Sequence, residues 1–290
     1  MNDKLIDRLC IIGVGLIGGS LASALREAGA VGEVVGCGRD PAHLQQAVQL
    51  GVIDRYEIDP AAAVAGADVV VLAVPLGAMQ KQMAQIAPVL GPQTILTDVG
   101  SAKGSVVRAA DAVFETLPVG FVPGHPIAGN EKSGVEAAYP GLFRARRVIL
   151  TPLPTSSAEA VTRVSAMWEA CGAHVVEMDV THHDEVLAAT SHLPHMLAYA
   201  LVDTLARMDD SREIFDFAAG GFRDFTRIAS SNPDMWHDIC LANHDALVKM
   251  LEAFSDDLRM LADAVRRADS EFLKQTFIRA KQARDAFCDE

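Results

Sequence analysis

The sequence predicts an α/β fold: an N-terminal, doubly wound and mostly parallel sheet covered by helices, followed by an all-helical C-terminal domain. Three observations lead there. Short runs that are apolar on both faces alternate with helical stretches through the first half of the chain, the pattern of parallel strands buried beneath crossover helices. Strand signals stop after Asp179, and apolar residues then recur at helical spacing. The 290 residues, 50% hydrophobic and 22% charged, can fill two cores and exclude a disordered or low-complexity chain.

Taken in order, LCIIG (9–13), EVVGCG (33–38), DVVVLAV (68–74) and TILTDV (94–99) read as buried strands. Residues 17–28, 41–50, 78–90 and 103–117 read as the helices that join and follow them. RRVILT (146–151) and HVVEM (174–178), with a helix over 157–171 between them, extend the same alternation, so the first domain is expected to span residues 1–178. The second, 179–290, is expected to be helical, chiefly over 181–208 and 233–268. Its best amphipathic stretch lines up Leu247, Leu251, Phe254, Leu258 and Leu261 on one stripe, which suits either a core or a dimer contact.

Lys and Arg total 25 against 38 Asp and Glu, a formal net charge of -13 that no basic run interrupts. That field repels phosphate backbones and anionic lipid, which argues against nucleic-acid and membrane partners. An anionic small molecule would need a local cluster of Arg, His or N–H donors. The 5 cysteines are scattered and form no CxxC pair, as expected of reduced thiols in a cytoplasmic protein. The uncharged stretch 9–25 behind Lys4 and Arg8 imitates an export signal, but it is rich in glycine and no clean cleavage site follows. No other apolar run approaches the length of a membrane span.

Gly13, Gly15 and Gly18 form GxGxxG directly after the first strand and at the start of the first helix. Only in that context is the motif informative. The first glycine permits a tight turn, the second lets backbone approach a pyrophosphate, and the third lets helix and strand pack closely. The N–H groups of the helix start, Leu16 and Ile17 among them, would then face the phosphates. A Rossmann-type dinucleotide site follows. The second strand ends GCGRD, so the position that binds an NAD ribose is Gly38, followed by Arg39. A small residue and a guanidinium suit the 2′-phosphate of NADP; alternatively, Asp40 holds an NAD ribose from a shifted position.

Four further segments carry polar side chains of possible chemistry: DVGSAKG (98–104), GHPIAGNEKSG (124–134), SHLPH (191–195) and GGFRDFTRIA (220–229). The first two fall at or beyond C-terminal strand ends, where open α/β sheets bind ligands. The last two lie in the helical part and would face that crevice. With GVGLIGGS (13–20) and VILTP (148–152), these strings give the chain a specific resemblance, over nearly its whole length, to the prephenate and arogenate dehydrogenase family of tyrosine biosynthesis.

The resemblance implies an oxidative decarboxylation, in which a hydroxycyclohexadienyl acid gives up hydride and CO2 and becomes a phenol. His125 resembles the family's catalytic histidine, and a neutral imidazole can take the hydroxyl proton. Ser101 resembles the serine that bonds near the reacting hydroxyl and the nicotinamide. His195 resembles an active-site histidine, and Arg227 the arginine that grips a substrate carboxylate through two parallel bonds. Asp224 is read either as the group that orients Arg227 or as one member of a surface pair. Without the resemblance, His125 reads equally as a loop residue and His195 as a core histidine.

No metal is expected, because His182, His183, Asp184, His192 and His195 lack HExxH or cysteine company. The expected partners are a small acid and a second copy of the chain, joined through the helical domain. Nothing in the family's fused arrangements, a mutase ahead or a regulatory domain behind, is expected here. Inhibition by tyrosine would therefore act at the active site or the helical domain, and Asn130, Glu131 and Lys132 are candidates for telling a keto side chain from an amine. The rival readings are a β-hydroxyacid dehydrogenase, which also joins a dinucleotide domain to helices, and a non-catalytic NADP sensor.

Overall fold

The computed structural model describes residues 4–130 and 132–288; Glu131 lies outside them. The chain divides into two compact units, one ending at His244 and one beginning at Asp245.

The first unit opens with β1 (Ile6–Ile12), α1 (Leu16–Glu27), β2 (Val31–Cys37), α2 (Pro41–Gln49), β3 (Arg55–Glu57), α3 (Pro60–Val64) and β4 (Val69–Leu72). It continues through α4 (Met79–Ile86), β5 (Ile95–Asp98), α5 (Lys103–Asp111) and β6 (Phe121–Val122). These strands form one six-stranded, all-parallel sheet in the order β3-β2-β1-β4-β5-β6. The two-residue period of β1 sorts its side chains: Leu9 and Ile11 enter one apolar layer, Cys10 and Ile12 the other. Two helices announce themselves chemically. Asp40 and Asp59 cap α2 and α3 with their side chains, each ahead of a proline at the first helical position.

The later strands differ from expectation. Residues 146–151 and 174–178 do supply β8 (Arg147–Leu150) and β9 (His174–Glu177), but these join β7 (Gly124–Pro126) in a separate three-stranded sheet. There β7 and β8 are antiparallel, whereas β8 and β9 are parallel across α6 (Ala158–Ala170). The chain leaves the main sheet at Pro123, which has no N–H to continue a ladder. Its carbonyl instead accepts from Thr151 N at 2.9 Å, at the end of β8. The helix expected over 103–117 stops at Asp111, since the N–H groups of Val113 and Phe114 turn back onto Ala110 O.

After β9 the regular elements of the described residues are all helical. The stretch expected to be helical over 181–208 is α7 (Val180–Leu187), a π turn at Ala188–His192, and α8 (Leu193–Ala206). Pro194 stands in the first turn of α8 and cannot donate the usual bond, so the ladder widens just before it. Then come α9 (Ser211–Asp216), α10 (Gly220–Thr226), a 3-10 turn at Arg227–Ser230 and α11 (Pro233–Ala242). The other long stretch, 233–268, breaks at Asn243.

The second unit consists of α12 (His244–Arg266) and α13 (Ser270–Cys288). Of the expected stripe, Leu247 is buried whereas Leu258 is half exposed. Phe277 on α13 is also exposed. No helix among the described residues is long and apolar enough to cross a membrane.

Candidate active site

The glycine motif behaves as its chemistry requires. Gly13 has φ +102°, and a Cβ there would stand 2.2 Å from Ala73 O. A Cβ on Gly18 would meet Gly13 O at 2.4 Å, in the helix–strand contact. Gly15 is different: nothing lies within 4 Å of where its Cβ would be. That open space faces the start of α1, whose N-cap makes no side-chain bond and whose first turn has no acidic residue. The bare N–H groups near Leu16 and Ile17 fit a pyrophosphate. The ring of His43 on α2 braces this loop, its Nε2 lying 2.7 Å from the Val14 carbonyl.

At the end of β2, a Cβ on Gly38 would meet only Leu44 at ordinary contact distance, so the glycine is not a steric demand of the fold. Arg39 is exposed and makes no ion pair or side-chain hydrogen bond among the described residues. Asp40 is already engaged, with its Oδ1 capping the N–H groups of Ala42 and His43.

His125 sits on β7 with 8% exposure. Its Nδ1 lies 2.9 Å from Nε2 of His183, a fully buried residue of α7. His183 Nδ1 is in turn 2.8 Å from Asp184 Oδ1. Asp184 accepts two further bonds, from Lys103 N and Gly104 N at the start of α5, both at 2.8 Å. Behind β7, the wholly buried Lys103 ammonium bonds to Asp98 and to Gly124 O, and Asp98 also accepts from Gly100 N and Gly124 N. Ser101 lies in the loop between these anchors.

Burial pulls the His125 pKa well below its ordinary value, and His183, Lys103 and His192 push the same way. The ring is therefore a neutral base at physiological pH.

The helical segments complete the site. His195 follows the π turn and stacks on Trp236 of α11, with ring centroids 3.6 Å apart at 20°. Its Nδ1 donates to Ser191 O at 2.8 Å. Burial lowers the His195 pKa; the Ser191 bond opposes that and the Arg227 charge adds to it. Arg227 is thus close enough to act electrostatically on His195, from a turn packed against α8. Asp224 is exposed on α10, three residues before Arg227. Asn243, buried at the α11 end, donates from Nδ2 to Asp184 O at 2.8 Å and faces His192 Nδ1 at 3.1 Å.

The sequence pointed to His125, Ser101, His195 and Arg227 but gave no role to Asp98, Lys103, His183, Asp184, Trp236 or Asn243. For Asp98 and Lys103 a signal existed, since two charges inside an otherwise apolar DVGSAKG string must be paired if buried. For the His183–His125 contact there was none, because 58 residues separate the pair. Among the described residues no group of three His, Cys, Asp or Glu is arranged to hold a metal.

Comparison with known proteins gives a consistent result. Residues 21–177 match the family described as prephenate dehydrogenase, nucleotide-binding domain, and residues 179–279 match prephenate dehydrogenase, dimerization domain. A cyclohexadienyl dehydrogenase of Zymomonas mobilis is 37% identical over 279 residues, covering 95% of this chain and 94% of that one. The crystal structure of Aquifex aeolicus prephenate dehydrogenase with hydroxyphenyl propionate and NAD+ superposes with a TM-score of 0.87 at 36% identity, covering 95% of this chain and 98% of that one. Synechocystis arogenate dehydrogenase superposes with a TM-score of 0.82 at 27% identity, covering 97% of this chain and 99% of that one.

Two outcomes are expected from this geometry. Gly15→Ala should leave the melting temperature unchanged yet weaken nicotinamide-dinucleotide binding measured by calorimetry, whereas Gly18→Ala should lower the melting temperature; equal behaviour of the two would contradict the cradle. The second concerns acid. Burial depresses His192 from 6.5 to about 4 in the fold, so the unfolded chain takes up a proton first and stability drains as pH falls from 6.5 toward 4. Full stability lies above that window. At about 1.4 kcal/mol per pH unit the loss reaches about 3 kcal/mol, and His192→Gln should flatten the pH slope of the urea midpoint there.

Proposed function

The chain belongs to the prephenate dehydrogenase family, and on that premise we propose that His125 is the base of its reaction and NADP its preferred cofactor. The reaction is the oxidative decarboxylation of a cyclohexadienyl acid, prephenate or arogenate, to 4-hydroxyphenylpyruvate or tyrosine. Membership of the family, rather than the fold, sets the chain apart from β-hydroxyacid dehydrogenases and from a sensor without chemistry. A bound nicotinamide supplies the hydride acceptor, and the open space at Gly15 with the bare start of α1 fits its pyrophosphate.

The observation that carries the reading is His125 itself, buried, neutral and, among the described residues, anchored through Nδ1 alone. Its other nitrogen accepts the hydroxyl proton as hydride leaves the same carbon. The electron pair of the breaking C–CO2 bond stays in the ring, which becomes aromatic, so no Lewis acid is needed. Ser101 positions the hydroxyl, Arg227 holds a carboxylate, and His195, flattened on Trp236, borders the ring's other end. Asp224, close to Arg227 in sequence, is assigned with it to substrate binding. Asn130 and Lys132 belong to the loop that would sense the side chain; Asn130 Oδ1 accepts from Lys132 N at 2.7 Å.

Preference for NADP is supported by the open Gly38 position and by Arg39, exposed with no ionic partner among the described residues. The second reading, NAD, is favoured by the NAD+ in the Aquifex aeolicus complex and by the uncapped second oxygen of Asp40. The chain works as a homodimer in the cytoplasm, with apolar residues such as Leu258 and Phe277 of the helical region meeting a second copy. The expected domains, 1–178 and 179–290, would give cofactor binding chiefly to the first and dimer contacts to the second.

Absorbance at the reduced-nicotinamide band, read for prephenate and arogenate each with NAD and NADP, is expected to rise in at least one pairing. Silence in all four with folded, cofactor-binding protein overturns the reading. At saturating substrate and cofactor His125→Ala should lower turnover by roughly 10²–10⁴-fold, and unchanged turnover removes His125 as the base. Arg39→Ala should weaken NADP use far more than NAD use; equal losses would leave NADP without support.

A further inference from the structure

Behind His125 the hydrogen bonds run in one direction, and that direction decides which of its nitrogens is free to accept a proton. We propose that His183 and Asp184 are positioning residues that lock His125 as the Nδ1–H tautomer and so leave Nε2 as the base. The proposal rests on the reading of His125 as the base and adds the atom at which it acts and the residues that select it.

The derivation starts at Asp184. Its carboxylate accepts from Lys103 N and Gly104 N, and a carboxylate bonded to two backbone N–H groups is the ionised, acceptor-only form. Burial alone would raise this carboxyl, but the bonds from His183, Lys103 and Gly104 outweigh it and hold the group below its ordinary value. His183 Nδ1, 2.8 Å from Asp184 Oδ1, must then carry hydrogen. With that one hydrogen as the only one on the His183 ring nitrogens, which is the premise of the lock, Nε2 has a lone pair and no hydrogen. It lies 2.9 Å from His125 Nδ1. Two lone pairs cannot bond, so the hydrogen between them belongs to His125 Nδ1, and His125 Nε2 is bare.

The opposite tautomer would present an N–H to the substrate hydroxyl and could not take its proton. The arrangement also serves the charged state. When Nε2 takes the proton, the Nδ1–H of the imidazolium already points along the chain toward the Asp184 carboxylate, which stabilises the new charge through His183. One proton moves, from the substrate hydroxyl to Nε2; the hydrogens on His125 Nδ1 and His183 Nδ1 stay in place. The comparison in kind is a triad, where the buried carboxylate fixes tautomer and orientation without being protonated.

The closest anchors are independent of the substrate. Asp184 is fixed by the start of α5, and its own backbone carbonyl is held by Asn243 Nδ2 at 2.8 Å. The lock is therefore built into the free protein and can be read without turnover.

The decisive experiment is long-range ¹H–¹⁵N correlation on the whole protein labelled at histidine, with His125 assigned from the signal lost in His125→Asn. Hydrogen on His125 Nδ1 and none on Nε2 is the expected result; hydrogen on Nε2, or a doubly protonated His183, overturns the lock. Kinetics give a second arm. His183→Leu removes the acceptor and should lower kcat roughly 100-fold or more, by analogy with loss of tautomer control in a triad, while KM for acid and cofactor moves less than about threefold. His183→Gln, which offers an amide oxygen in place of Nε2, should recover kcat to within about tenfold of wild type. A kcat unmoved by His183→Leu, or a loss that appears in KM instead, also overturns the proposal. Wild-type turnover is scored separately: the Nδ1–H tautomer without turnover of either acid rejects the functional reading and leaves the lock standing, and turnover with the Nε2–H tautomer does the reverse.

Discussion

The buried pair of Asp98 and Lys103 is the constraint on which the rest of the site depends. Asp98 ends β5, Lys103 begins α5, and both side chains are fully shielded from water. Through Gly124 N and O the pair grips β7 one residue before His125. A buried ion pair of this kind is weak evidence of stability, because desolvation of both charges offsets most of their attraction. What it supplies is geometry: the end of one sheet, the first turn of a helix and the start of a second sheet are fixed around one carboxylate. Burial drags the Lys103 ammonium down and Asp98 draws it back up, so removing either partner would strand the other's charge in the core.

From that anchor the helical part is attached to the same helix start. Asp184 caps the backbone N–H groups of Lys103 and Gly104, and the N-terminal dipole of α5 favours its negative charge. One short helix thus presents Lys103 inward to the His125 strand and its backbone donors to the His183 helix. The π turn at Ala188–His192 then resets the phase between α7 and α8. His183 can bond to His125 while His195, three turns later, lies against Trp236.

Much of the fold was legible because burial and periodicity leave local marks. The four long strands of the main sheet, their helices and the switch to all-helical structure could be read directly, since a parallel strand apolar on both faces has few alternatives. The glycine motif was legible for a similar reason: Gly13 and Gly18 answer local steric demands, and Gly15 keeps the helix start open. What could not be read were elements of two or three residues, such as β3, β6 and β7, which are too short to show a period. Nor could the second sheet be foreseen, because pairing of β7 with β8 depends on where the chain leaves the first sheet. His125 and His195 were found through whole-string resemblance, whereas His183 and Asp184 were passed over as members of an unconvincing metal cluster. A histidine's partner across 58 residues is a tertiary fact, and no local pattern encodes it.

The surroundings of His125 are arranged to favour its neutral form. The Lys103 cation behind β7 and the burial of the ring both favour the neutral form, and so does the acidic chain's failure to place any carboxylate in direct contact with the ring among the described residues. The nearest carboxylate in the hydrogen-bond chain acts at one remove, through His183. A carboxylate bonded directly to His125 would raise its basicity and hold the proton after it was taken. Placing the His183 ring between them keeps orientation while leaving His125 a weaker base than a contact pair would make it. In the proposed role, a base that must release its proton once per turnover gains from that separation, because its resting state has to be the empty one.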